Sequence, residues 1–212
     1  MNDLEQKLAF IKEWLGTGSI DIFGLPMSGK DTVGLRFAEL IGAKFLSSGL
    51  IIRAAEKENN KNYTGNGQLA PTDVFFDLIL PYFEREDLKD FPLVLSSVGR
   101  WSGEENEIMS VAKNSGHEIK AVVLLQISEQ DIMNRWEAAN FLKDRGERED
   151  DKDKATLENR MREFREKTIP VVKHYKELDL LVEVRADQYR EGVLTEFINK
   201  LYDFAATHNQ NS

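Results

Sequence analysis

Apolar positions along the chain follow two alternating periods. Leu4, Leu8, Ile11 and Leu15 recur at helical spacing, and Gly16-Thr17-Gly18 ends that helix before a short apolar run at 20–23. Further runs suited to buried strands lie at 43–46, 92–97, 119–127 and 180–184, and the stretches between them carry helical periodicity. Strands that alternate with helices predict an α/β fold with a five-stranded parallel sheet covered by helices on both faces. Ser128-Glu129-Gln130-Asp131 starts a helix directly after the longest run, with Ser128 as cap and Asp131 near the positive end of the helix dipole. Two segments break the pattern. Residues 56–70 are rich in Asn, Lys and Gly, residues 143–154 are almost entirely charged, and both read as mobile excursions from the core. Residues 208–212 read as a frayed polar tail.

The first run leads into Gly24-Leu25-Pro26-Met27-Ser28-Gly29-Lys30-Asp31-Thr32, and a helical pattern leads out of it. That context is the one a phosphate-binding loop requires. Gly24 and Gly29 let successive N–H groups face an anion, the helix N-terminus adds positive potential, Lys30 reaches the transferring phosphates and Thr32 turns a hydroxyl toward Mg²⁺. A proline two residues after the first glycine, and one residue between lysine and threonine, resemble the loop of adenylate kinases. Met27 and Asp31 stand where that family usually has glycine, and a carboxylate at 31 has to point away from phosphates it would repel.

Composition narrows the setting. The chain has 212 residues, 41% hydrophobic, enough for one α/β domain with small appendages. A net charge of −9 offers no overall positive field for nucleic acid or an anionic membrane, so a phosphate-bearing ligand must be held by local arginines. With no cysteine there is no disulfide, no thiolate chemistry and no four-cysteine zinc site, and zinc is not expected. His117, His174 and His208 lie in unlike contexts and suggest no metal or triad. Charged residues interrupt the first ten positions and no run is long enough to span a membrane, so a cytoplasmic protein is expected.

The resemblance continues past the loop. Phe45-Leu46-Ser47-Ser48-Gly49-Leu50-Ile51-Ile52-Arg53-Ala54-Ala55 is similar to the family segment that starts the monophosphate-binding helix. It implies that Ser48 contacts the acceptor nucleotide and Arg53 pairs with its phosphate, a role suited to a guanidinium fork. Gly67-Gln68-Leu69-Ala70-Pro71 resembles the turn that closes over the acceptor base, which makes Leu69 an acceptor contact. The fourth run ends in Ser96-Ser97-Val98-Gly99-Arg100, where the family has Asp-Gly-Phe-Pro-Arg, and Arg100 keeps its place as a ligand of the acceptor phosphate. Ser96 replaces the carboxylate that organises Mg²⁺ and its waters: either Asp31 or another nearby carboxylate takes over, or Mg²⁺ is held less tightly and transfer is slow. Glu104 falls at the family's adenine-reading glutamine.

Arg148-Glu149-Asp150-Asp151, Arg160 and Thr168-Ile169-Pro170 resemble the family's remaining landmarks, and Lys143-Asp144-Arg145-Gly146-Glu147 resembles a short lid. By that resemblance Arg100, Arg148 and Arg160 join Lys30 as catalytic residues, Arg148 and Arg160 also hold the acceptor, and Arg135 and Arg145 join Gly24, Met27, Ser28, Gly29, Lys30, Asp31 and Thr32 at ATP. Arg162 and Arg165 read as solvated. The implied architecture is a P-loop NTPase fold, with an N-terminal helical extension over 1–17 and a kinase-like domain over 18–212. That domain carries an acceptor-binding insert at about 48–76 and a lid at about 143–153. The implied reaction is reversible transfer of the γ-phosphoryl group of Mg·ATP to a nucleoside monophosphate, AMP by default, by a monomer. A kinase for GMP, UMP or CMP, and a nucleotide-binding protein with little turnover, are the alternatives.

Overall fold

In the computed structural model, which describes residues 2–142 and 153–209, a sheet of five parallel strands forms the centre in the order β2-β3-β1-β4-β5. The strands are β1 (Ser19–Gly24), β2 (Lys44–Ser47), β3 (Leu93–Ser96), β4 (Ile119–Gln126) and β5 (Leu181–Arg185), within a residue or two of the runs read from the sequence. β1 is buried along its whole length because β3 and β4 pair with its two edges. Its alternation sends Ile20 and Ile22 to one face and Phe23 to the other. On the first face they meet α1 (Asp3–Leu15), α2 (Lys30–Ile41) and α9 (Arg190–His208) through Ile11, Leu15, Phe37, Phe197 and Leu201. Helices α3 (Ser48–Asn59), α4 (Thr72–Ile79), α5 (Glu104–Asn114) and α8 (Ile169–Glu177) cover the other face through Ile52, Phe75, Ile108 and Tyr175.

The N-terminal helix is part of this core. Asn2 and Glu5 form a reciprocal capping box, and Ile11 and Leu15 are fully buried. Phe10 and Trp14 meet Tyr202 and Phe204 of α9 edge-on. At the other end of the chain, α9 continues through His208, whose ring stacks on Phe204, so the helix runs into what the sequence suggests is a tail.

Residues 56–70 are tied into the fold, contrary to their reading as an excursion. Residues 56–59 complete α3, and the Glu56 carboxylate accepts from the Tyr63 N–H, the Thr64 N–H and the Thr64 hydroxyl at 2.7–2.9 Å. A charged residue that appears as solvated in the sequence thereby fixes the loop that follows. α6 (Glu129–Leu142) begins where expected, with the Asp131 N–H donating to the Ser128 hydroxyl at 3.1 Å. Most of the expected lid, including Arg145 and Arg148, lies outside the described residues. From Asp153, which caps α7 (Lys154–Glu163), the chain is described again and runs through a π-helical turn, Phe164–Thr168, into α8.

One polar residue inside β1 has a thermodynamic consequence. Asp21 has no solvent exposure, and its carboxylate accepts from the Val98 N–H at 3.1 Å. Burial pushes its carboxyl up to about 8, against the pull of that N–H and of Arg100. The folded chain therefore keeps a proton that the unfolded chain releases above a pH of about 4, and stability falls as pH rises from there to about 8. Asn is the same size, can still accept from Val98 and does not titrate. Asp21→Asn is expected to add on the order of 2 kcal/mol at pH 8 and to flatten the loss of stability between pH 5 and 8. Denaturant unfolding at those two pH values checks it, and an unchanged slope would mean Asp21 is ionised in the fold.

Candidate active site

The loop between β1 and α2 has the backbone that an anion-binding turn needs. Gly29 sits at φ +94° at the start of α2, where a side chain is strained, and nothing lies within 4 Å of the place its Cβ would occupy. At Gly24 a Cβ would stand 2.6 Å from Ser28 Oγ and 3.2 Å from Leu125 Cβ, so glycine is required there by space. Met27 adopts φ +63°, a conformation that suits the glycine usual at this place in the resembling family, and Met27 adopts it at a cost of about 1 kcal/mol. Its side chain packs against the cluster of Leu25, Ile132, Leu157 and Met161. Arg135, on α6, donates to the Met27 and Ser28 carbonyls at 3.2 Å and to the Ala186 carbonyl. Arg135 thus splints the loop to the chain beyond β5.

A cleft open to solvent begins at this loop and brings together Gly24, Lys30, Arg53, Leu69, Arg100 and Arg160. They come from the loop and α2, α3, the turn before α4, the chain after β3, and α7. Arg100 ends a short connection whose backbone is unusual: Ser97 at φ +56° and Gly99 at φ +76°. The Ser97 N–H donates to the Ile22 carbonyl at 3.0 Å and the Val98 N–H to buried Asp21, so β1 fixes the path that delivers Arg100. Loss of solvent, then the nearby charge of Arg160, brings the Arg100 guanidinium down to about 10, with Arg53 adding repulsion and Glu104 and Asp31 opposing it. Like charges gathered in a cleft are held at a cost that an anion with several oxygens would reverse.

The acceptor side differs in detail from what the residues suggest. Ser47 caps α3, accepting from the Leu50 N–H at 3.4 Å. Ser48 is buried and donates to the Ser97 carbonyl at 2.6 Å, joining the start of α3 to the connection that carries Arg100. Arg53 folds back along α3, its Nη1 3.1 Å from the place a Cβ on Gly49 would occupy. Glu104 is 4% exposed and is not among the residues lining the cleft. One of its carboxylate oxygens accepts from the Thr72 hydroxyl at 2.8 Å and the other from the Trp101 N–H at 3.0 Å. It ties α5 to the head of α4.

Residues on α7 and the π-helical turn complete the wall. Glu163, nearly buried, accepts from the Leu69 N–H at 3.2 Å and from Lys167 at 2.6 Å, while Lys167 lies over the Trp101 ring at 3.9 Å. Asn159 donates to the Asn66 carbonyl. A Cβ at Gly67 would meet Arg160 Cγ at 2.6 Å and the Thr156 carbonyl at 2.8 Å, so the turn bearing Leu69 lies tight against the helix bearing Arg160. Thr168 also lines the cleft, and its buried hydroxyl has no hydrogen-bond partner among the described residues. Thr168 was visible in the sequence as the head of Thr168-Ile169-Pro170, whereas Glu163 carried no signal beyond being one acid in a charged helix. Among the described residues no helix is long and apolar enough to cross a membrane.

A divalent ion with oxygen preferences fits the residues beside Lys30. Asp31 is half-buried, Thr32 is exposed at the head of α2, and the Ser96 hydroxyl donates to Asp31 Oδ1 at 2.6 Å. One carboxylate and hydroxyls suit Mg²⁺, which keeps most of its waters and takes phosphate oxygens for the rest. No cluster of three or more His, Asp or Glu that could cage a metal occurs among the described residues.

Known proteins resemble the chain in sequence and in fold. A family model described as adenylate kinase matches residues 22–180. Adenylate kinases of Bacteroides thetaiotaomicron and Mycobacterium tuberculosis are 26% and 28% identical to the chain over 165 and 162 residues, in each case 74% of this chain and 84% of the relative. Among solved structures, a gluconokinase from Sinorhizobium meliloti 1021 has the same fold, with a TM-score of 0.61 at 17% identity over 92% of this chain and 97% of that one. Residues 22–180, from within β1 to the edge of β5, follow one family model across the loop and the arginine cleft, and the chain belongs to the adenylate kinase family of phosphotransferases.

Proposed function

We propose that the protein transfers the γ-phosphoryl group of ATP reversibly to a nucleoside monophosphate, with AMP as the first acceptor. The observation that carries this reading is the meeting of Lys30 with Arg53, Arg100 and Arg160 in one cleft at the mouth of the phosphate loop. Phosphoryl transfer asks little covalent chemistry of a protein. Its rate comes from aligning donor and acceptor, stabilising charge on the transferred group and excluding water. In this reading the loop N–H groups and Lys30 hold the donor's phosphates. Arg53 and Arg100 grip the acceptor phosphate from α3 and from the chain after β3, and Arg160, which lines the same cleft, balances charge as the phosphoryl group moves across. Arg145, at the donor, and Arg148, at the transferring group and the acceptor, keep the roles the resemblance implies and lie outside the described residues.

Thr32 and Asp31 are the residues that would hold Mg²⁺ beside the donor phosphates. The ion, when bound, neutralises charge on the phosphate oxygens. The Leu69 turn, held by Glu163, and the first turn of α3 form the wall that faces the acceptor nucleoside. Glu104 already receives a hydrogen bond on each carboxylate oxygen, so base choice falls to this wall in the arrangement described. The reading places the protein in the cytoplasm, with ATP and a nucleoside monophosphate as its partners.

An assay of ADP formation from Mg·ATP with AMP, GMP, UMP and CMP in turn tests the proposal. AMP is expected to turn over fastest. GMP, UMP or CMP ahead of AMP would move the acceptor and keep the chemistry. Nucleotide binding without turnover on any of the four would overturn the enzymatic reading in favour of a binding protein.

A further inference from the structure

The strand-end position that carries a carboxylate in the resembling family is Ser96, and the position after the loop lysine, glycine in that family, is Asp31. These two departures touch. Ser96 Oγ donates to Asp31 Oδ1 at 2.6 Å across 65 positions of sequence, the length of a charge-assisted bond. We infer that the metal-organising carboxylate has moved from β3 to α2: Asp31 supplies the charge beside Mg²⁺ and Ser96 is its positioning residue. The inference rests on the proposed phosphoryl transfer from Mg·ATP.

Geometry makes the exchange close to equivalent. An aspartate at 96 would carry its carboxylate a bond length or so beyond where Ser96 Oγ stands, in the direction now met by Asp31 Oδ1. Ser96 is 1% exposed and sits on a strand paired with Ile22 on one side and Ser47 on the other, so its hydroxyl is a rigid anchor. The same bond accounts for how a carboxylate is tolerated next to phosphates. Drawn toward β3, Asp31 stands at the side of the loop, and its charge is felt at Arg100 across the cleft. A first-turn acid that serves only the helix dipole needs no such anchor, since solvent suffices for it.

The test compares ATP binding with and without Mg²⁺ by calorimetry, with no acceptor present. Asp31→Asn keeps an acceptor for Ser96 but removes the charge, and is expected to reduce the tightening of ATP binding by Mg²⁺ about tenfold while metal-free ATP binds as well as before or better. The swap D31G/S96D returns the carboxylate to β3 and is expected to regain the effect to within about threefold of the original protein. Ser96→Ala, which leaves the core unaltered in size, is expected to lose about threefold and covers the case in which the swap fails to fold. An Mg²⁺ effect indifferent to Asp31→Asn overturns the inference, as does a folded swap that regains nothing, or an Ser96→Ala protein identical to the original. If the original protein binds no ATP at all, it is the phosphotransfer reading that fails.

Discussion

Lys30→Ala is expected to leave the fold unchanged and to lower phosphoryl transfer by about 10²–10³-fold. Lys30 is partly exposed at the first position of α2, and the buried core on that helix is made by Val33, Phe37, Ala38 and Ile41, so no packing is lost with its amine. Alanine is also the better helix former at an exposed position. The charge that is removed lines the cleft that begins at Gly24, and Arg53, Arg100 and Arg160 reach that cleft from other elements, with the acceptor phosphate to hold in the proposed reading. Donor binding should weaken less than transfer, because the loop N–H groups and the start of α2 still face the phosphates. The measurements are initial rates at saturating ATP and acceptor, beside thermal unfolding. An unfolding midpoint near that of the original protein with transfer retained within threefold would mean that phosphate transfer happens elsewhere in the molecule.

The sheet was legible in the sequence because each strand is a short apolar run closed by polar or glycine residues, and the inner strands β1 and β3 are buried along their whole length. The phosphate loop was legible for a different reason: its chemistry is local, and nine consecutive residues contain it. What stayed hidden is whatever depends on contacts between distant segments. Asp21 sits inside a run that reads as apolar, and its partner, Val98, is 77 positions away. Met27 and Ser97 look like losses of glycine, yet both positions take positive φ, so the backbone has been kept while the side chain changed. Glu104 shows what register alone leaves out. Its position matches a base-reading residue, but its carboxylate is occupied by Thr72 and the Trp101 N–H, and neither bond is implied by the local sequence. Ser96 and Asp31, each a departure when read singly, become one feature only when the strand and the helix are side by side.

The same reasoning assigns the largest effect on the acceptor side to Arg100. Its guanidinium is held down to about 10 by loss of solvent and by Arg160, so it sits in a place where charge is costly and is kept there by a connection pinned to β1 through Ser97 and Val98. A phosphate that arrives between Arg53, Arg100 and Arg160 receives paired, charge-assisted bonds, each worth about 1.5–3 kcal/mol when one partner is charged. Arg100→Ala removes two such bonds and is expected to lower kcat/KM for the monophosphate by about 10²–10⁴-fold. ATP binding measured alone should change by less than about threefold, because the loop and Lys30 are untouched. Stability should not fall, since truncation also removes the repulsion that Arg160 and Arg53 exert on Arg100. Arg100→Lys keeps the charge but not the fork and should recover only part of the loss. Kinetics with the acceptor varied at fixed ATP, set beside calorimetry of each nucleotide, separate the two ligands. Equal weakening of both would place Arg100 between them as a bridge to the transferring group, and loss confined to ATP would mean that the donor and acceptor ends of the cleft are the reverse of those described.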